Sequence, residues 1–218
     1  MVRRALIAVG VALLVVALVP PVARWGEDRS FAVHMAQHLL LGDLAPLVLA
    51  IALVPRLPRA VAAAALPLWV VNLAVWHIPV VMEEALHHGA VHLAQHVALF
   101  AAGFLLWAAI LWSPLGIGTR IVLVAGMMAT GIALSSVLIW WPRVLYATYL
   151  HAHELGGMSP LTDQRTGGGL MLVEGMLVGL AVAAWLMLGV LREDATQRQP
   201  TPAAPRALRQ KRGQTRRV

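Results

Sequence analysis

The sequence has 218 residues, of which 60% are hydrophobic and only 12% are charged, and it contains no cysteine. Soluble domains carry about 25% charged residues, so this composition excludes an ordinary soluble domain and indicates a chain that folds in lipid. The absence of cysteine excludes disulfides and thiolate metal sites. The net charge of +7 follows the membrane topology predicted below, and we therefore expect no binding to nucleic acid.

Six apolar stretches are long enough to cross a bilayer, because about 20 helical residues span its hydrocarbon core. We predict an all-α polytopic transmembrane bundle of about six spans in residues 1–191, followed by a disordered basic tail in residues 192–218. Proline and glycine mark the breaks between spans, since proline removes a backbone donor and glycine loosens a helix. The predicted spans lie near residues 5–23, 33–54, 60–82, 89–112, 120–141 and 168–191.

The distribution of Lys and Arg sets the predicted orientation, because these residues are more frequent in cytoplasmic loops. With both termini in the cytoplasm, thirteen of the 17 Lys and Arg residues lie inside and four lie outside. We expect the protein in the plasma membrane, with the basic tail bound to anionic lipid. The first span also has features of a signal peptide, but Pro21 does not suit cleavage after Ala23.

All nine histidines lie on the predicted extracytoplasmic side, whereas a random distribution would place about half of them inside. Two pairs open spans, a third group surrounds a short loop, and the last pair lies in the long loop before the final span. The positions are His34 and His38, His77, His87 and His88, His92 and His96, and His151 and His153.

The pattern His-x-Ala-Gln-His occurs twice, from His34 to His38 and from His92 to His96. Residues four apart share one helix face, so each pair presents two imidazoles to one neighbouring point. Imidazole binds copper, zinc, iron and nickel, and two adjacent pairs would offer four such ligands in the outer leaflet. The spacing does not show that the two helices are neighbours, and a single histidine at a span end is often only an interfacial hydrogen-bonding residue.

Other histidines are weaker candidates. His77 is a predicted fifth ligand, or a residue that supports the ligands. We interpret His87 and His88 as solvated loop residues, and His151 and His153 as an alternative position for copper.

Two carboxylic acids, Asp43 and Glu174, lie inside predicted spans. An ionised carboxylate there needs a partner, or else it takes up a proton. These acids are either hydrogen-bonded structural groups or acceptors that orient a ligating imidazole. Asp163, just before the last span, is a candidate for the same orienting role. Met35 and Met158 are placed to offer a soft sulfur ligand to Cu(I).

Four motifs in order along the chain resemble the membrane CtaG proteins, which are assembly factors of caa(3)-type cytochrome c oxidase. They lie at residues 30–41, 76–79, 92–96 and 157–164, and the resemblance covers roughly residues 31–191. It implies a multi-pass membrane protein that helps to mature the oxidase through its copper centres, with oxidase subunits as partners. The family has about seven spans, one more than we count here. The resemblance implies that the residues to test are His34, His38, His77, His92, His96 and Asp163.

We therefore predict a non-enzymatic assembly factor that binds copper through outer-leaflet histidines and delivers it to an oxidase. The main alternative is a haem-binding redox protein in which histidines from two helices ligate the iron. A metal permease is a third hypothesis, but the inner halves of the predicted spans show almost none of the polar residues that a transport path requires.

Overall fold

A computed structural model describes residues 1–150 and 157–197, the last five of these without their side chains. The described residues are 87% helical and include no β-strand. Two units are distinguished, Met1–Ala183 and Ala184–Val218, and the first contains every contact discussed below. The helices are α1 (Val2–Leu18), α2 (Pro20–Asp28), α3 (Phe31–Leu39), α4 (Ala45–Leu53), α5 (Arg59–Trp76), α6 (Pro79–His87), α7 (Gly89–Trp112), α8 (Ile117–Trp140) and α9 (Pro160–Gln197).

Five helical segments of the described chain are long and apolar enough to cross a membrane, and the bent pair α1 and α2 would make a sixth. The prediction of an all-α polytopic bundle with about six spans is therefore confirmed. The five segments are Phe31–Leu53, Arg59–Trp76, Gly89–Trp112, Ile117–Trp140 and Pro160–Arg192.

Proline explains two differences between the predicted and observed helix bounds. The first predicted span, residues 5–23, is broken where α1 and α2 meet at an angle of 47°, because Pro20 and Pro21 begin a new helix. The third, residues 60–82, ends at Trp76, and Pro79 starts α6 after a short break. In both cases the missing proline N–H suits the first turn of a helix and not its interior.

The last helix is longer than the predicted span 168–191 at both ends. It begins at Pro160, with Asp163 in its first turn, where proline and an acidic side chain both favour a helix start. Glycine residues at 167–169 therefore lie inside the helix. The helix extends to Gln197, so it includes the first residues of the predicted tail, and residues 198–218 lie outside the described chain.

A single π-helical turn, Leu40–Leu44, joins α3 to α4 within one continuous span. Its cause is Pro46, which has no N–H to donate to the carbonyl group of Gly42 four residues earlier. Such turns often occur at functional sites, because they redirect the side chains that follow. Here the turn contains Asp43, one of the two acids predicted within the membrane.

The turn also lies where two spans approach most closely. A Cβ atom added at Gly103 of α7 would overlap the Gly42 carbonyl oxygen. Small residues permit such contacts between helix backbones in membranes, and α7 packs along both the turn and α4. The spans that carry the two His-x-Ala-Gln-His segments are therefore direct neighbours.

The substitution Gly103→Val should push these two spans apart, because even its Cβ atom overlaps the backbone at Gly42. We expect the free energy of unfolding in detergent to fall by about 1–3 kcal/mol, the usual cost of overpacking. Gly118→Val is the matched control, since nothing lies within 4 Å of a Cβ at Gly118. Thermal unfolding followed by circular dichroism measures both, and equal stability of the two variants would contradict the close approach.

Candidate metal centre

Three histidines come together where α3 and α7 begin. His34, His38 and His92 each offer one ring nitrogen, and these nitrogens all lie within 4.8 Å of one another. Ligand nitrogens around one tetrahedral metal ion are roughly 3.3 Å apart, given metal–nitrogen bonds near 2.05 Å. To close around an ion, these nitrogens would have to approach one another by at most roughly 1.5 Å.

The remaining ring contacts extend the group to both predicted pairs. Ring centroids are 4.2 Å apart for His34 and His38 and 4.1 Å apart for His92 and His96. Across the two helices they are 5.6 Å apart for His34 and His92 and 5.9 Å apart for His38 and His96. The four imidazoles therefore form one cluster, which we call the imidazole cluster.

His77 lies at the edge of this cluster. It follows the last residue of α5, and its ring centroid is 6.4 Å from that of His38. Its Nδ1 atom is 2.8 Å from the Leu73 carbonyl oxygen, which fixes the ring and leaves Nε2 directed elsewhere. This position suits a fifth ligand to an ion held by the cluster. It also suits a ligand that binds such an ion only after a small movement of the ion or the ring.

The four histidines of the cluster and His77 are buried, and most of their ring nitrogens have no hydrogen-bond partner in the described protein. The exposed fraction of each of these five histidines is 9% or less. A buried polar group without a partner costs about 1–3 kcal/mol, so an apolar packing role does not explain five together. The chemistry of these donors fits a metal ion. The unpartnered atoms are Nδ1 and Nε2 of His34 and His38, and Nε2 of His77, His92 and His96.

A carboxylate from the last span holds the first pair in place. Asp163 accepts hydrogen bonds from Ser30 Oγ at 2.7 Å, from the Phe31 amide at 2.6 Å and from the Ala32 amide at 3.3 Å. These amides begin α3, where unpaired N–H groups attract negative charge. Asp163 was predicted to orient an imidazole directly, whereas its hydrogen bonds in the described chain all go to the start of α3. It positions His34 through the backbone.

Two tyrosines attach the loop that follows α8 to backbone beside the cluster. Tyr149 donates to the Gly26 carbonyl at 2.8 Å, and Tyr146 donates to the His77 carbonyl at 3.1 Å. Burial is the main cause that raises the pKa of the Tyr149 hydroxyl well above its usual value, and the negative charge of Asp163 adds to it. The hydroxyl therefore remains a donor at physiological pH. Both rings also pack on Phe31, which joins this loop to α3.

Glu27, in α2, is a residue that the sequence did not single out. Its Oε1 atom lies 3.2 Å from Nδ1 of His92, and one third of its side chain is exposed. A carboxylate on one ring nitrogen fixes the tautomer and directs the other nitrogen, here Nε2, toward a ligand. In the sequence, Glu27 is only one of several polar residues that precede the second span. No spacing rule connects it to His92, so their contact was not predicted.

The glutamines of the repeated segment point away from the cluster. Gln37 Nε2 donates to the Ala17 carbonyl of α1 at 2.9 Å, and Gln95 Nε2 donates to the Met82 sulfur of α6 at 3.5 Å. Both side chains are fully buried. Each copy of the repeat therefore presents two imidazoles on one side and fastens a neighbouring helix on the other.

Asp43 and Glu174 contact each other rather than an imidazole. Together with His38 and His77 they line a cavity below the imidazole cluster. Their predicted function as direct acceptors for a ligating imidazole has no corresponding hydrogen bond among the described residues.

His87 and His88 do not join the cluster. His87 and His88 are exposed at the end of α6, where His88 Nδ1 lies 3.1 Å from Glu84. Glu83 instead accepts two hydrogen bonds from Thr148. His151 and His153 lie outside the described residues.

Together these features define a polytopic helical membrane protein with a buried group of imidazoles at one end of its spans. A family model described as "Cytochrome c oxidase caa3 assembly factor (Caa3_CtaG)" matches residues 1–193. The chain belongs to this family, as its motifs predicted, and the family is one of cytochrome c oxidase assembly factors. Searches of curated proteins and of solved structures gave no significant match.

Replacing Asp163 with alanine should release the start of α3, because three donors lose their common acceptor. Hydrogen bonds to a charged group contribute about 1.5–3 kcal/mol, and we expect a loss of that order in the free energy of unfolding. Asp163→Asn keeps one acceptor oxygen and should lose less. Asp28→Ala, at an exposed acid near the end of α2, serves as the control, and an equal loss there would contradict this capping function.

Proposed function

We propose that the protein binds a copper ion in the imidazole cluster and delivers it to a cytochrome c oxidase subunit during assembly. The observation that carries this proposal is the convergence of His34, His38 and His92, with His96 beside them. Membership of the oxidase assembly family supplies the process in which the ion is used. The protein then acts as a carrier of the ion and has no catalytic step.

Ligand chemistry favours copper over other metals. The sequence has no cysteine, and the cluster offers neutral imidazoles, with Met35 fully buried beside His34. Imidazole and thioether ligands together suit both Cu(II) and Cu(I). A site without thiolate holds the ion mainly through neutral donors, so its release to a partner with stronger ligands is favourable.

The proposed direction of delivery follows from the arginine distribution. The histidine end of the spans faces the extracytoplasmic side if the basic residues lie inside. Glu27 is the partly exposed group next to the cluster, and a carboxylate at this position attracts a cation from that side. The cluster would thus be loaded and unloaded without passage of the ion across the membrane.

The close approach of the two spans argues against the haem alternative. Axial imidazoles bind the iron from opposite faces of the porphyrin, so the whole macrocycle would have to lie between α3 and α7. The backbones of the two spans are in contact at Gly42 and Gly103, one turn beyond His38. Haem binding would therefore require α3 and α7 to separate, which the close approach at Gly103 opposes.

The double substitution His34→Ala/His38→Ala should remove the copper ion that the imidazole cluster holds in the purified protein. Two of the three converging ligands are then lost, and one imidazole pair alone is a weak site. Copper content measured by elemental analysis after loading and desalting should fall by about one ion per chain. The matched control is His87→Ala/His88→Ala, which changes two exposed histidines and should retain the copper of the unaltered protein.

Equal copper content in these two variants would end the copper proposal. An absorption spectrum of the unaltered protein, purified from cells that make haem, tests the alternative at the same time. A Soret band that disappears in His34→Ala/His38→Ala would favour the haem protein instead.

In cells, the same variant should leave the oxidase polypeptides present but their copper centres incompletely filled. The measurement is copper per haem in oxidase purified from a strain whose own copy of this gene has been replaced by the variant. The strain with His87→Ala/His88→Ala should give normal oxidase. A fully loaded oxidase in both strains would show that the imidazole cluster is not needed for copper insertion.

A further inference from the structure

A cavity of about 70 Å³ lies below the imidazole cluster, between α3, α5, α8 and α9. On the measure used for buried water, one molecule needs about 10–15 Å³, so this space holds several waters or a metal ion with its ligands. His38 and His77 form its upper wall, and Asp43 and Glu174 line its other end. The cavity therefore connects the cluster with the two acids in the membrane.

The two acids form an uncommon pair for a membrane interior. Trp107 Nε1 donates to Asp43 at 2.7 Å, and the Asp43 and Glu174 side chains interact directly. Oε1 of Glu174 is buried without a hydrogen-bond partner in the described protein. Carboxyl groups at such depth are costly and usually mark an ion or proton site.

An independent observation comes from the nitrogens in the same wall. Nε2 of His77 and both ring nitrogens of His38 are buried and unpartnered, and each side chain is 93% buried. These groups line the cavity together with the acids. The donor set is thus mixed and is not an acidic cluster alone.

Sulfur is also concentrated here. Five of the nine methionines of the chain line this one cavity. Methionine often fills irregular space, but that general use does not explain their concentration beside buried acids and imidazoles. Thioether sulfur is a soft ligand that selects Cu(I) over harder cations. The five are Met35, Met127, Met128, Met171 and Met176.

We propose that this cavity is a second binding position for a soft monovalent cation, distinct from the imidazole cluster and deeper in the membrane. Methionine sulfur and His77 Nε2 supply the ligands, and the pair Asp43 and Glu174 supplies the compensating charge. One negative charge on the pair balances one monovalent ion, and their attraction offsets part of the cost of holding that ion in a low dielectric.

The shared wall gives the second position its use. His38 belongs to the imidazole cluster and also lines the cavity, so an ion can pass between the two positions by exchanging ligands. A two-position site can retain one ion while another is transferred. This inference extends the proposed function, but binding at the deeper position can be measured without any oxidase.

The test is anaerobic titration of the purified full-length protein in detergent with Cu(I), and in parallel with Ag(I), counting bound ions by elemental analysis. The unaltered protein should bind two ions. Asp43→Asn/Glu174→Gln should bind one, because the charge is lost while the amide oxygen of the first substitution can still accept from Trp107. The melting temperature of this variant should stay near that of the unaltered protein, which separates lost binding from lost folding.

X-ray absorption of the Cu(I)-loaded protein provides a second measurement that does not depend on the acids. We expect sulfur at bonding distance in the unaltered protein and a smaller sulfur contribution in Met127→Leu/Met171→Leu, which nearly preserves side-chain volume and removes two of the five methionines. Met158→Leu/Met187→Leu, at two methionines outside the cavity, should retain the sulfur signal.

The outcomes distinguish this inference from the proposed function. Two ions in Asp43→Asn/Glu174→Gln, or only nitrogen and oxygen ligands in the unaltered protein, would overturn the second position. Loss of one ion in His34→Ala/His38→Ala with the sulfur signal retained supports both positions. A protein that binds one sulfur-ligated ion, unchanged by that histidine variant, would support the deeper position and contradict the imidazole cluster.

Discussion

The close contact between Gly42 and Gly103 is the constraint on which the rest of the site depends. Pro46 withholds a hydrogen bond from the Gly42 carbonyl, the chain relaxes into a π-helical turn, and the absence of a side chain at Gly103 allows α7 to reach that carbonyl. Two spans held at this separation bring their histidine pairs to the same level. If the two spans were farther apart, the same histidines would form two separate pairs at the membrane interface.

The imidazole cluster does not by itself favour folding. Imidazoles buried without partners do not stabilise a helical bundle, so packing elsewhere must compensate. The buried glutamines, the tyrosines on Phe31 and the Asp163 carboxylate supply that packing around the cluster. This division, with stabilising contacts outside and unsatisfied donors inside, is typical of a site that awaits a ligand.

The sequence was informative where a local rule applied. Apolar length predicted the spans, and the four-residue spacing predicted that each histidine pair shares one face, as the ring centroids of His34 and His38 show. Ordered motifs predicted the family, which is confirmed. The metal and the ligand set remain predictions, because no local rule or comparison tests them.

Long-range relations were beyond such rules. That α3 and α7 are neighbours depends on Gly42 and Gly103, which are 61 positions apart in the numbering and carry no signal in composition. Glu27 reaches His92 only because α2 folds back beside α3. Asp163 was predicted to orient an imidazole, and its hydrogen bonds to the start of α3 are recognised only in the three-dimensional structure.

The capping of α3 by Asp163 has a consequence for the order of events during synthesis. The Phe31 amide and its acceptor are separated by 132 residues, which a ribosome needs roughly 7–26 s to translate at 5–20 residues per second. For that interval the first amides of α3 lack their carboxylate acceptor. The start of α3, which carries His34, is therefore capped only after the final helix has been synthesised.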